Sequence, residues 1–255
     1  MVNTSIIPQN VDLKDLSLIA GFHGIGATGY VSIKYLIDQL KPEKVASVDT
    51  DAIFPVSSNS SGHLVTPYQI YKHNKLAILR AEISPSRKSE LLFLRQLCDL
   101  LLDKKIKELI LIGGLDSAFK ADDSMVRYVH TSSYTPNQNF DNLKLLEDDR
   151  IIVGPVALML NYMEMKKFPT YALLPFASAE RVDYNAAAEA LKIVSHEKSL
   201  DLDFDPLLSE DKKEFPIEEK EDEYTANKGN ENLSLIHISE PTRPRLISYA
   251  VFCLK

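Results

Sequence analysis

The sequence predicts an α/β protein: a three-layer sandwich built on a mostly parallel central sheet. Three observations carry this. Strand-like and helix-like segments alternate from about residue 16 to residue 195. The run 108–115 (ELILIGGL) is almost wholly apolar, as expected of a strand covered on both faces by crossover helices. A glycine-rich turn, 21–29 (GFHGIGATG), joins the first strand to the first helix.

Taken in order, 16–22 (LSLIAGF) is a short apolar run ending in glycine and predicts the first strand. Residues 25–40 place Val31, Ile33, Tyr35, Leu36, Ile37 and Leu40 at helical spacing, and 44–50 (KVASVDT) predicts a second strand. Together they imply a β–α–β unit with parallel pairing and a right-handed crossover. Residues 63–83 alternate around Asn74-Lys75 as a hairpin, with Pro67 placing it at a sheet edge. Ser84-Pro85 predicts a helix start whose apolar stripe is Leu91, Leu94, Leu97, Cys98, Leu101 and Leu102. After the central strand, 128–133 is extended and 139–149 partly helical. Then 151–155 is a strand, 156–167 a helix and 170–176 a strand. Asp183 caps a last helix through about residue 195 that turns Ala187, Ala190, Leu191 and Val194 inward.

Composition narrows the function classes. The chain has 255 residues, 45% hydrophobic and 25% charged, with a net charge of -7. Thirteen acidic and five basic side chains fall between Glu197 and Asn232, which leaves the body before them close to neutral. A near-neutral body without a Lys/Arg cluster argues against nucleic-acid binding. No window approaches 18 consecutive apolar residues, so no membrane span is expected, and the N-terminus lacks the basic-then-apolar pattern of a signal peptide. Cys98, a lone thiol in a helical pattern, suggests a core residue in a reducing compartment; the expected location is the cytoplasm.

Gly24, Gly26 and Gly29 satisfy G-x-G-x-x-G between strand and helix, with Asp49 some twenty residues on. That is the layout of a dinucleotide fingerprint: a tight turn, a phosphate on the helix N-terminus and a carboxylate on the ribose. The same glycines also suit a tight β–α turn with no ligand at all. Gly113-Gly114 ends the central strand, where ligands of open sheets bind, so His23, Asp51 and Asp116 could converge there. Gly24, Gly26, Gly29, Gly113 and Gly114 are therefore the candidate ligand site. There is no G-x-S-x-G, H-E-x-x-H or C-x-x-C, and neither catalytic residues nor a metal or cofactor is expected. Tyr68, Tyr71 and Tyr134 could rim a pocket or simply pack on strands.

Residues 21–40 (GFHGIGATGYVSIKYLIDQL), 107–115 (KELILIGGL), 154–177 (GPVALMLNYMEMKKFPTYALLPFA) and 182–191 (VDYNAAAEAL) occur in the order of corresponding segments in one family. Over about residues 10–200 the chain resembles the proteasome assembly chaperone 2 family, above all its archaeal members. The resemblance implies a phosphorylase/hydrolase-like sandwich acting as a non-catalytic chaperone or scaffold in 20S proteasome assembly. It also implies contacts with proteasome α subunits or a paralogue, and a homo-oligomer. Archaeal relatives also carry an ATP-grasp-like label, which keeps a small-molecule or nucleotide-binding enzyme using the glycine-rich turn as the alternative. This chain shows neither a distinct nucleotide-clamping domain nor clustered metal-binding carboxylates.

Residues 1–200 are thus expected to form the α/β domain, and 201–232 an acidic linker unable to bury enough apolar area to fold alone. Residues 233–255 resemble a translated sequencing adapter: LSLIHISEPTR matches one end, ISYAVFCL the other, and Pro244-Arg245-Leu246 has the length of the index between them. On that resemblance His237, Tyr249 and Cys253 support no functional claim. The natural chain is expected to continue past Asn232, so a C-terminal hydrophobic–Tyr–any docking motif, found in some family members, cannot be sought in Cys253-Leu254-Lys255.

Overall fold

In the computed structural model the chain is described for residues 2–53, 56–60, 62–85 and 88–211; the expectations for 212–255, the adapter-like stretch included, lie outside the described residues. The elements are β1 (Thr4–Ile7), β2 (Ser17–Gly21), α1 (Thr28–Leu40), β3 (Glu43–Thr50), β4 (Ser58–Ser60), β5 (His63–Val65), β6 (Tyr68–His73) and β7 (Leu76–Ala81). They continue as α2 (Glu90–Asp103), β8 (Glu108–Ile112), β9 (Leu115–Asp116), β10 (Val126–His130), β11 (Lys144–Leu145), α3 (Gly154–Met165), β12 (Thr170–Ala177), α4 (Tyr184–Lys198) and α5 (Asp205–Asp211). The main sheet runs β1-β3-β6-β7-β2-β8-β12-β10-β11, with β9 extending it beside β12. Its middle is parallel: β2 pairs with β7 and β8, and β8 pairs with β12. Antiparallel strands flank that middle on both sides.

The expected three-layer sandwich is present. Along the central strands Leu18, Ala20, Leu109, Leu111, Ala172 and Leu174 face one way and pack under α2 and α3. Ile19, Ile110, Ile112, Tyr171 and Leu173 face the other, under α1 and α4. Each such side chain contributes about 1.5–3 kcal/mol by leaving water, which is why an apolar run in sequence becomes the centre of the sheet. The helices follow most of their stripes, but in α2 the expected Leu91 is exposed and Phe93 is buried instead. In α2 Phe93, Leu94, Leu97, Cys98 and Leu101 are buried, and burial pushes the Cys98 thiol up to about 12, as befits an inert core residue. At α4, Asp183 accepts from the Ala186 amide at 2.9 Å as its cap, and all four expected inward residues are buried.

The first β–α–β unit is rearranged. β3 runs in the direction of β2 but does not pair with it, because the β6–β7 hairpin inserts between them. β6 is consequently interior, and Pro67 marks the entry to that strand instead of a sheet edge. α2 begins at Glu90 after a cap position at Ser89, five residues beyond the Ser84-Pro85 signal. Residues 151–153 form no strand: they are an irregular lead into α3, whose start is set by Gly154 at φ 78° and by Pro155 in its first turn. The partly helical reading of 139–149 reduces to a single 3₁₀ turn and the short strand β11. β1 was not foreseen; it edges the sheet by pairing antiparallel with β3. Residues 201–211, assigned to the linker, carry α5, and Leu202 and Leu207 bury against the α4 side of the core. Among the described residues, no helix is long and apolar enough to cross a membrane.

A buried charge pins the end of the sheet where the parallel strands begin. Glu108, 7% exposed, accepts from Ser17 Oγ at 2.6 Å and from Lys198 Nζ at 2.7 Å, joining β2, β8 and the end of α4. Burial by itself would raise this carboxyl, but the hydrogen bonds from Lys198 and Ser17 outweigh it and hold it below its ordinary 4.5. A carboxylate depressed in the folded state adds stability that is present above the unfolded pKa and lost as pH falls through the folded value. Lys198→Met should therefore destabilise the protein by about 2–3 kcal/mol at pH 7, somewhat under a fully dry pair. Urea unfolding from pH 7 to pH 3 should show that penalty shrinking on the acid side; a constant penalty would mean the lysine acts through packing alone.

Candidate functional site

The site is assembled where the parallel strands end. β2 finishes at Gly21, the chain turns through 22–24, makes one 3₁₀ turn and enters α1. β8 finishes at Ile112 and Gly113-Gly114 follow. Between these two turns lies a cleft of about 70 Å³, closed at one side by Phe119 and at another by 150–156, the approach to α3. Ligand pockets for drug-sized molecules run to roughly 300–1,000 Å³.

Gly24, Gly29, Gly113 and Gly114 line the cleft, as expected of the candidate ligand site; Gly26 does not. Gly26 sits at φ 61° and faces away, where a Cβ would meet Ala177 Cβ at 2.8 Å and Asp183 Cβ at 3.0 Å. Its carbonyl accepts from the Asp183 amide at 2.9 Å, which ties the first turn to the cap of α4. Gly113 packs against side chains, where a Cβ would meet Leu174 at 3.0 Å and Val156 at 3.4 Å, whereas three other glycines make backbone contact. A Cβ on Gly21 would lie 2.3 Å from the Gly29 carbonyl oxygen, one on Gly29 2.4 Å from that of Ile112, and one on Gly114 2.5 Å from that of Ile25. The first turn of α1 thus rests directly on the ends of β2 and β8, the close helix–strand packing that the third glycine of such a fingerprint also provides. Gly24 differs: nothing lies within 4 Å of its would-be Cβ.

The acidic partner of the fingerprint is also displaced. Asp49 lies in β3, opposite Ser5, three strands from β2. At about 4.8 Å per strand it is ~14 Å away across the sheet. Asp51 is likewise remote and accepts from the Asn3 amide at 2.8 Å and from Asn3 Nδ2 at 3.3 Å. His23 and Asp116 do reach the cleft. Asp116 accepts from the Ala118 amide at 2.9 Å, capping a 3₁₀ turn. His23 stacks on Tyr30 with ring centroids 4.0 Å apart. Burial lowers its pKa below 6.5, with Glu82 pulling weakly the other way, so the ring is neutral at pH 7. Behind it Glu82 accepts from Tyr30 Oη at 3.4 Å and pairs with Arg80.

Of the tyrosines suggested as a rim, Tyr68 is fully buried on Phe93 and donates to the Ile83 carbonyl at 2.9 Å, while Tyr134 packs on Tyr171 in the α4-side core. Tyr71 is half-buried beside Gln69. None of the three lines the cleft. Sequence reasoning missed Phe119, Arg150 and Ile151–Val153. The strand expected over 151–155 is absent because Gly154 and Pro155 already belong to α3, which leaves only three apolar residues before it. Arg150 donates to the Phe119 carbonyl at 2.8 Å and covers the Phe119 ring at 5.4 Å, joining the two walls. Among the described residues, no three His, Cys, Asp or Glu side chains are grouped to hold a metal ion.

A family model, that of the PAC2 family, matches residues 18–222. The chain belongs to the PAC2 family. Its fold recurs in solved structures at low identity. PbaA from Pyrococcus furiosus, titled an archaeal homolog of proteasome-assembly chaperone, superposes with a TM-score of 0.72 at 20% identity, covering 82% of this chain and 92% of that one. PbaB from Pyrococcus furiosus, titled an archaeal proteasome activator, gives 0.69 at 19%, covering 83% and 96%. A PAC2 family protein from Streptomyces avermitilis gives 0.57 at 16%, covering 78% and 92%. No curated protein matches the sequence closely enough to add a relative.

In this PAC2 protein the glycines make separable predictions. Gly29→Ala and Gly114→Ala should each cost about 2–4 kcal/mol, because the new methyl meets fixed backbone and not a movable side chain. Gly24→Ala should stay within about 0.5 kcal/mol of the parent. Denaturant midpoints measure all three, and equal effects at Gly24 and Gly29 would sink the account.

Proposed function

We propose that this protein is a non-catalytic scaffold in proteasome assembly, working in the cytoplasm as a homo-oligomer that contacts proteasome α subunits or a paralogue. The observation that carries this reading is the PAC2 match across nearly the whole fold. Support for the partner comes from the neighbours of the same architecture, whose titles name a proteasome-assembly chaperone homolog and a proteasome activator. Support for surface over chemistry comes from the first turn, where Gly21, Gly29 and Gly114 serve backbone packing.

The alternative is a nucleotide- or small-molecule-binding enzyme centred on Gly24, Gly26, Gly29, Gly113 and Gly114. His23 and Asp116 at the cleft favour it. The volume of about 70 Å³ and the position of Asp49 count against a nucleotide. The two readings part on one pair of measurements. The chain is mixed with α subunits of its own organism and passed over a sizing column. The same protein is melted with and without ATP or NAD. Co-elution with no nucleotide-dependent rise in melting temperature is the expected result. A rise that Gly26→Val abolishes, without co-elution, would overturn the scaffold reading.

A further inference from the structure

The mouth of the cleft is built as a contact site. Phe119, Ile151 and Val153 line it and remain 36%, 54% and 43% exposed. Single exposed apolar side chains are ordinary, but three converging on one cavity mark a place where another apolar group is meant to sit. The wall that carries them is rigid. The Arg127 guanidinium, 1% exposed, donates from Nη2 to Asp122 at 2.9 Å and from Nε to Glu147 at 2.8 Å, bolting the segment before β10 to the segment after β11. Hydrogen bonds from Lys144 and the Ser124 amide, with Arg127 alongside, hold the Asp122 carboxyl well below the usual range, so the clasp stays charged at neutral pH.

Charge around the mouth is one-sided. Segments 116–123 and 141–150 hold seven acidic side chains and three cations. Lys144 is paired with Asp122 at 2.8 Å, Arg150 lies by Glu147 and the Phe119 carbonyl, and Arg127 offsets part of the Asp122 and Glu147 charge; Lys120 Nζ, on the neutral Met125 Sδ at 2.9 Å, keeps its charge, so the balance stays acidic by three. Asp123, Asp148 and Asp149 are exposed and make no ion pair with the described residues. An apolar notch with room for the tip of one side chain, inside an uncompensated negative rim, specifies its complement.

We propose that this cleft docks an extended segment of a partner protein, seating one aliphatic side chain against Phe119, Ile151 and Val153 with flanking lysines or arginines on the acidic rim. The anchor supplies affinity, and the rim supplies selection and speed of encounter. Preorganisation by Arg127 spares the wall any ordering on binding. The inference rests on reading the chain as a protein-binding scaffold, but not on which protein it serves.

The test uses the whole chain and a fluorescein-labelled, end-capped peptide KKLKK, followed by anisotropy, with KKAKK and EELEE as controls. Expected is saturable binding of KKLKK, at least about tenfold tighter than either control, that weakens as salt rises from about 50 to about 500 mM. Ile151→Ser with Val153→Ser should bring KKLKK down to the KKAKK level at unchanged melting temperature, since both residues are exposed. Asp123→Lys with Asp148→Lys should abolish the salt dependence. Equal binding of KKLKK and KKAKK, no saturation, or indifference to the double serine variant would overturn the proposal. So would an oligomer that the serine variant splits while KKLKK fails to bind, because a second copy would then fill the cleft. KKLKK binding without α-subunit co-elution would uphold the docking chemistry and remove only the proteasome assignment.

Discussion

The structure depends on a close approach of three pieces of backbone at the end of the parallel sheet. Gly21 at the tip of β2 meets Gly29 in the first turn of α1, Gly29 meets the Ile112 carbonyl at the tip of β8, and Gly114 meets Ile25. No other residue type permits these distances, because a Cβ would stand about 2.3–2.5 Å from a carbonyl oxygen in each case. The contact seats α1 on the sheet and so sets how Val31, Ile33, Tyr35 and Leu36 enter the core. It also shapes the small cleft above the strands, which Gly29 and Gly114 line together with Gly24 and Gly113. In that turn the Ala27 amide is spent on the Gly24 carbonyl at 2.9 Å, inside the turn itself.

The two ends of the sheet use charge differently. Where the parallel strands begin, Glu108, Ser17 and Lys198 form an enclosed network that locks β2 and β8 to the end of α4. Where they end, Arg127 is as buried as a core leucine, yet its partners Asp122 and Glu147 are partly open to solvent and belong to the loops that wall the cleft. The first arrangement holds secondary structure together. The second holds two irregular segments in one shape with little apolar burial of their own, which is how a loop-built surface becomes rigid enough to recognise something. Asp123, Asp148 and Asp149 in the same loops are exposed and make no ion pair with the described residues, so the acids that order the wall and those left open to solvent are distinct.

The sequence alone determined the class of fold, the central strand, the face of each long helix and the cap of α4. These follow from periodicity and from short-range hydrogen bonding, as at Asp183 and along Leu94, Leu97, Cys98 and Leu101, where neighbours in sequence are neighbours in space. It also marked the two glycine turns, although not which glycine faces the cleft. Tertiary structure decided the strand order: nothing local states that the β6–β7 hairpin lies between β2 and β3, and that insertion alone carried Asp49 out of reach of the first turn. It decided as well that Ile151–Val153 would line a cleft instead of joining the sheet. At the cleft Ile151 and Val153 stay partly exposed and gain less transfer free energy than they would inside the sheet, so the edges left open by the other strands, not the triplet's own hydrophobicity, determine its place.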